Sequence, residues 1–367
     1  MQVCPQDTIF FKLEKVRNSI LKILILGING FIGHHLARHI LENTSWVVYG
    51  MDLTDDRVKH LRDFDNFFYT EGDITINKEW IKYHIKKCDV IMPLVAIATP
   101  SSYVNDPLGV FELDFEANLP IIRSSVEYKK RIIFPSTSEV YGKSKDTPFC
   151  PNTSDLVLGL INKQRWIYSC SNQLLDRIIY AYGEKNDLDY TLFRPFNWFG
   201  SGLDNINEPK EGGSRVITQF IGNISRGINL SLVDGGMQKR CFTDIEDGIS
   251  ALISILENKD GIASKKIYNI GNPKNDYSIK ELANMIIDEA ALHPHWDKLV
   301  KKIKIIDVSS NEYYGAGYQD VTNRVPNISA LQRDLDWHPS VGMQAGLKKV
   351  FNFYTKNFKN AEQLLSL

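Results

Sequence analysis

Tyr168 and Asn172 stand four residues apart in the run RWIYSCSNQ, so on a helix both side chains would share one face. A phenol so placed can exchange a proton with a substrate hydroxyl, the step that accompanies hydride transfer at the carbon bearing it. A cation one turn further on would hold a cofactor ribose and lower the phenol pKa by its charge. Lysine would serve, but this chain has asparagine there. At about 6 Å and an effective dielectric near 20, one charge is worth roughly 2–3 kcal/mol, or about two pKa units. Tyr168 is therefore expected to be a weaker base at neutral pH than a lysine-supported phenol. Asn172 keeps the capacity to bond a ribose hydroxyl.

A hydride needs a carrier, and the N-terminal part of the chain offers a place for one. LKILIL, Leu21 to Leu26, is a short apolar run suited to a strand buried on both faces. It leads into Gly27-Ile28-Asn29-Gly30-Phe31-Ile32-Gly33 and then a helical pattern through Leu36 and Ile40. Gly27 permits the tight turn, Gly30 lets the backbone approach a pyrophosphate at the helix N-terminus, and Gly33 lets helix and strand pack closely. A second strand, Trp46 to Met51, ends on Asp52, 19 residues after Gly33. A carboxylate there accepts bonds from adenosine ribose hydroxyls and repels a 2′-phosphate, which favours NAD over NADP. The plainer alternative is a tight turn and a solvated aspartate.

These residues require a frame. Cys88–Leu94, Arg131–Pro135 and Tyr190–Phe193 read as further parallel strands, with helical stretches at Phe111–Tyr128 and Asn172–Lys185 between them. The expected fold class is α/β, a Rossmann-type doubly wound parallel sheet with a smaller C-terminal α/β substrate-binding lid. Residues 1–20 read as an N-terminal extension and 21–200 as the NAD-binding domain. Residues 201–367 read as mainly substrate-binding, with the chain crossing back to the first domain. Residues 201–214 look like a loop, followed by helices near 215–227, 244–258 and 278–291.

Composition narrows the setting. A net charge of −1 gives no basic field for nucleic acid or a membrane surface. No apolar run reaches the length of a membrane span, and the N-terminus lacks the order of a secretory signal. Five cysteines without CxxC or zinc spacing point to reduced thiols in the cytoplasm, and no metal site is expected. His34, His35, His293 and His295 read as structural or surface residues.

Eight segments together carry a resemblance: GINGFIGHHL at 27–36, LVAIATP at 94–100, FPSTSEVYG at 134–142, RWIYS at 165–169, LFRPFNWFG at 192–200, QKRCFTDI at 238–245, NIGNP at 269–273 and YGAGYQDVTNR at 314–324. Over roughly residues 20–355 the chain resembles extended short-chain dehydrogenases that act on nucleotide sugars. More narrowly, it looks like the dehydrogenase half of the bacterial UDP-glucuronic acid decarboxylases of polymyxin resistance, here without a formyltransferase segment.

The resemblance implies roles. Tyr168 takes the C4 hydroxyl proton as hydride leaves for NAD, with Thr137 as its hydroxyl partner. The 4-keto sugar acid then loses its carboxylate as carbon dioxide, giving UDP-4-keto-pentose or UDP-xylose. Ser138 and Glu139 lie near that carboxylate, and Arg324 neutralises it or protonates C5. Related dehydratases carry Asp-Glu after the threonine; Ser138-Glu139 fits decarboxylation better than water loss. Cofactor contacts fall on Gly27, Asn29, Gly30, Phe31, Ile32, Gly33, Asp52, Asp73, Ile74, Leu94, Ala96, Thr99, Tyr168, Asn172 and Pro195. Substrate contacts fall on Asn197, Arg215, Gln238, Arg240 and Tyr318. Ser231 stands where the resembling proteins are expected to carry a lysine. The resemblance also implies a UDP-sugar substrate and a homodimer formed through the helix near 111–128 and the one starting near Asn172.

Each of these residues also has a plainer reading. Tyr168 could be a buried phenol with a satisfied hydroxyl, Thr137 and Ser138 backbone caps, Glu139 a solvated acid, and Arg324 and Arg240 ion-pair partners. At the level of function, a UDP-sugar 4-epimerase, an apiose-type synthase and a low-activity or binding-only relative stay open, the last because of Asn172.

Overall fold

The computed structural model describes residues 20–207, 215–315, 317–321 and 323–365, with side chains to residue 356. Residues 1–19 of the expected N-terminal extension and residues 208–214 of the expected loop lie outside the described residues.

The apolar run at the start of the described chain forms β1 (Lys22–Leu26), in which Ile23 to Leu26 are fully buried. A strand covered on both faces needs such a continuous apolar stretch rather than alternation. It is followed by β2 (Val47–Asp52), β3 (Phe67–Glu71), β4 (Val90–Pro93), β5 (Arg131–Pro135) and β6 (Tyr190–Pro195). With a last strand, Lys266–Ile270, these make one seven-stranded parallel sheet. Its order is Lys266–Ile270, β6, β5, β4, β1, β2, β3. The strand order therefore reverses between β1 and β4, and a doubly wound sheet binds its ligand in the crevice above that point.

The chain after residue 200 returns to this sheet. Lys266–Ile270 pairs with β6, and the helix Ile245–Glu257 packs on α1 (Phe31–Asn43). A second core forms where Phe220, Ile221, Leu282, Ile286, Trp296, Leu347 and Phe351 meet. Those residues come from the helices Val216–Ser225, Ile279–Ala291, Pro294–Val300 and Met343–Leu365.

Two elements differ from expectation. The stretch 111–128 is helical, as expected, but not a regular α-helix throughout. It runs as Pro107–Phe111, a wide π-type turn Glu112–Glu116, and then Leu119–Glu127. Pro120 has no N–H for the helical ladder. Just before it, Asn118 Nδ2 donates to the carbonyls of Leu113 and Asp114 at 3.1 and 3.2 Å. The helix expected from Asn172 begins earlier, at Trp166, and runs to Asn186. Tyr168 and Asn172 thus both lie in it, and both are buried.

Candidate active site

The glycine turn follows β1 directly. Gly27 has φ +82° and its N–H donates to Met51 O at 2.9 Å, which couples the turn to the end of β2. A Cβ on Gly33 would stand 2.5 Å from Gly27 O and 2.7 Å from Ile28 Cα, so α1 can pack on the turn only without one. Asp52 accepts from the N–H groups of Asn29 and Leu53 at 2.7 and 2.8 Å, fixing its carboxylate at the rim of the turn. The Asn29 side chain spans to Thr54, Asp56 and Arg57 N, tying the turn to the loop after β2. Gly30 and Phe31 open α1, with Ile32 in its first turn.

The other rim of the crevice comes from the loops after β3 and β4. Asp73 Oδ1 accepts from Thr75, and Ile74 is buried. Leu94 N–H donates to Leu26 O at 2.7 Å, Ala96 lies in the following loop, and Thr99 heads the helix Pro100–Asn105. These positions and the turn fit a dinucleotide: a glycine cradle, a helix start and a carboxylate at the end of β2.

Tyr168 is buried among Thr137, Tyr103, Asp114 and Glu139. Its hydroxyl is hydrogen-bonded to Thr137, and its ring stacks on Tyr103 with centroids 4.6 Å apart and planes 7° from parallel. Burial raises its pKa well above the ordinary phenol range, the negative field of Asp114 adds to this, and the Thr137 hydrogen bond and Arg215 oppose it. Thr137 also accepts from Glu139 N–H at 3.1 Å, capping the turn Ser138–Tyr141 that begins just past β5. Ser138 is buried in that turn. Asn172 Nδ2 donates to Tyr168 O at 3.0 Å, so this amide N–H group is spent on its own helix.

Glu139 is clamped. Arg165 Nη2 lies 2.5 Å from one carboxylate oxygen, and Arg324 Nη1 bonds the other. Burial alone would raise the Glu139 pKa, but the two guanidiniums outweigh it and hold the carboxyl at about 2. Arg240 joins from the strand Lys239–Cys241, pairing with Asp320 at 2.5 Å and donating to Val321 O at 2.8 Å. Tyr318 lies under the Arg165 guanidinium, 5.1 Å from centroid to Cζ.

The remaining substrate-side residues sit further out. Pro195 ends β6, and Asn197 follows with φ +39° and Nδ2 bonded to Cys241 O at 3.1 Å. Arg215 stands immediately before the helix Val216–Ser225 and pairs with Asp204 at 2.8 Å. Gln238 O accepts from Ile279 N–H. Ser231 lies in the strand Leu230–Val233, paired with Ile306. His34 and His35 face a separate cavity of about 600 Å³ lined also by Arg38, Arg57 and Lys349. Burial pushes both down, to about 3 and about 4, so both are neutral.

Sequence reasoning passed over four residues. Arg165 stands one turn before Tyr168, a spacing that would have placed both on one face. Asp114 falls on the buried stripe Val110, Asp114, Asn118, Ile122, at four-residue steps, and an acid on an apolar stripe is itself a signal. Tyr103 and Asp320 carry no comparable pattern.

The sequence model of the NAD dependent epimerase/dehydratase family matches residues 23–271. Among solved structures, the PbgP3 protein from Burkholderia pseudomallei is 54% identical, with 94% of this chain and 98% of that chain covered and a TM-score of 0.85. A dTDP-glucose 4,6-dehydratase from Bacillus anthracis, in complex with NAD, is 21% identical, covers 92% and 97%, and has a TM-score of 0.73. The UDP-glucuronic acid 4-epimerase from Bacillus cereus, in complex with UDP-glucuronic acid and NAD, is 21% identical, covers 92% and 100%, and has a TM-score of 0.76.

Proposed function

This chain belongs to the NAD dependent epimerase/dehydratase family, with NAD as cofactor, and within that family we propose that it acts on UDP-glucuronic acid, removing the sugar carboxylate. One observation carries the reading. The cluster beside Tyr168 holds three cations, Arg165, Arg240 and Arg324, against two anions, Glu139 and Asp320. One buried positive charge is left over, and a low-dielectric site favours an anion that completes it. A UDP-hexose offers only its diphosphate as an anion; a uronic acid adds a carboxylate on the sugar itself, next to the reacting C4.

NAD, when bound in the glycine cradle, supplies the hydride acceptor. The protein residues have separate tasks. Tyr168 takes the C4 hydroxyl proton, and its bond to Thr137 keeps the phenol directed at that hydroxyl. Glu139 stays ionised between its two arginines, so it orients Arg165 and Arg324 toward the carboxylate rather than donating a proton. Once C4 is a ketone, loss of carbon dioxide leaves an enolate that the ketone stabilises. Protonation of that enolate at C5 gives the 4-keto pentose, and re-reduction gives UDP-xylose. The assembly we propose is a cytoplasmic homodimer; among the described residues no helix is long and apolar enough to cross a membrane.

Incubation with UDP-glucuronic acid and NAD, following carbon dioxide and NADH together, tests this. Carbon dioxide with NADH means a released ketone, and carbon dioxide alone means internal re-reduction. Neither product overturns the reading and favours a second one, a binding-only relative. That alternative has its own support in Asn172, whose uncharged amide bonds the helix backbone.

A further inference from the structure

Asp114 has no part in the scheme above, yet it links the two halves of the site. It lies in the wide turn Glu112–Glu116, which packs against the helix carrying Tyr168 and Asn172. Its Oδ1 accepts from Ile97 N–H at 2.7 Å, in the middle of the loop that bears Leu94, Ala96 and Thr99. It is buried, and its Oδ2 has no hydrogen-bond partner among the described residues. The next residue inward on the same stripe, Asn118, holds the carbonyls of Val95, Leu113 and Asp114 through Nδ2, so the turn is tied to the cofactor-side loop twice.

An unpaired ionised carboxylate in such a place is costly, and the cost falls if it is either paired with a cation or neutral. The helix on which this turn packs carries Tyr168, which feels the field of Asp114, and one turn further on residue 172, the position at which a lysine would bring a cation. We propose that Asp114 is a positioning residue of the Tyr168 site, matched to the residue at 172: a neutral acid opposite Asn172, an ionised counter-charge opposite a lysine. A lysine–aspartate pair and an asparagine–carboxylic acid pair carry the same net charge. Exchange of one for the other therefore leaves the net charge of the site unchanged.

The titratable groups whose fields meet that of Asp114 are Tyr168, from the helix Trp166–Asn186, and Tyr103, from the helix Pro100–Asn105. Burial dominates Asp114 and pushes it up to about 7, against the Ile97 N–H, which favours the anion. Below that pH the neutral acid adds no negative field to Tyr168. Above it, the carboxylate makes the phenol harder to ionise. The inference thus deepens the proposed hydride-transfer reading, but its first test does not require turnover.

The NAD-saturated protein, labelled with carbon-13 at the aspartate carboxyls, is titrated by NMR, with the Asp114 signal assigned by its loss in Asp114→Asn. The wild-type midpoint is expected near 7, and in Asn172→Lys at least a hundredfold more acidic, below 5. A wild-type midpoint below 5, or one unmoved by Asn172→Lys, overturns the proposal. The second arm is the ratio of Asp114→Asn to wild-type turnover on UDP-glucuronic acid. Asparagine keeps the acceptor for Ile97, so the ratio is expected near one at pH 6 and several-fold higher at pH 9. A ratio that does not change with pH overturns the proposal. If neither protein turns over, the functional reading fails, and the NMR titration alone decides the role of Asp114.

Discussion

The Asn172 side chain donates its Nδ2 to the carbonyl of Tyr168, 3.0 Å away and one turn back on the same buried helix face. A lysine here would extend past the helix surface and carry a charge; asparagine folds back onto the backbone. The phenol that should act as base therefore has Thr137 as its hydrogen-bonded aid, while burial and Asp114 oppose its ionisation.

Restoring the cation should restore the base. At about two pKa units for one charge at about 6 Å, Asn172→Lys is expected to raise neutral-pH turnover of UDP-glucuronic acid and shift the alkaline-favoured pH profile toward neutrality. Ionisation of Asp114 would offset part of that shift. Tyr168→Phe is expected to abolish turnover in both backgrounds. Steady-state rates from pH 6 to 10 check this; a lysine variant no faster at any pH, with Tyr168→Phe fully active, would refute the assigned mechanism.

The cofactor cradle gives an independent prediction. Gly33→Ala places a methyl 2.5 Å from Gly27 O and 2.7 Å from Ile28 Cα, and this turn backbone cannot give way as a flexible side chain could. NAD binding should weaken at least about tenfold, the equivalent of 1.4 kcal/mol. The wild type should bind NAD more tightly than NADP because Asp52 is held at the end of β2 by two backbone N–H groups. Calorimetry with both cofactors measures each effect, and equal or tighter NADP binding contradicts the role given to Asp52.

Assembly can be checked on the exposed faces of the paired helices. Leu108, Leu174 and Tyr180 are large apolar side chains left in solvent on Pro107–Phe111 and Trp166–Asn186. A homodimer would cover them. Sedimentation at micromolar concentration should give twice the chain mass of 41.9 kDa, and Leu174→Glu should lower it toward one. A wild-type mass of one chain rejects the dimer.

The sheet was legible because its strands announce themselves locally. LKILIL, WVVYGM and RIIFP are short apolar runs bounded by turns, and they fall within a residue or two of β1, β2 and β5. The stretch 111–128 is helical as its periodicity implies, but the π-type turn Glu112–Glu116 within it is not legible, because apolar periodicity does not register one inserted residue per turn. Tyr168 and the glycine turn were readable from spacing. The Glu139 clamp was not, because Arg165 and Arg324 are far apart in sequence and meet only through their shared partner Glu139 in the turn Ser138–Tyr141. Periodicity and spacing report neighbours along the chain, whereas ion pairs between distant loops depend on tertiary placement.

That clamp yields a prediction about stability and pH. The Glu139 carboxyl is held at about 2 in the folded protein, against an ordinary glutamate near 4.5. A depressed folded pKa means that the folded state favours the anion. The stabilisation is therefore complete above about pH 5 and is lost as the pH falls from there toward 2. The shift corresponds to at most about 3 kcal/mol. In Glu139→Gln the two guanidiniums lose their carboxylate, so the variant should be less stable than wild type at pH 7 by an amount of that order. The difference should hold from pH 7 to about pH 5 and shrink below that, because the wild type then loses the same charge by protonation. Urea unfolding of the two proteins at intervals from pH 7 to pH 3 measures it. A difference that stays constant over that range would show that Glu139 acts through packing alone, and that the arginines beside it do not depend on its charge.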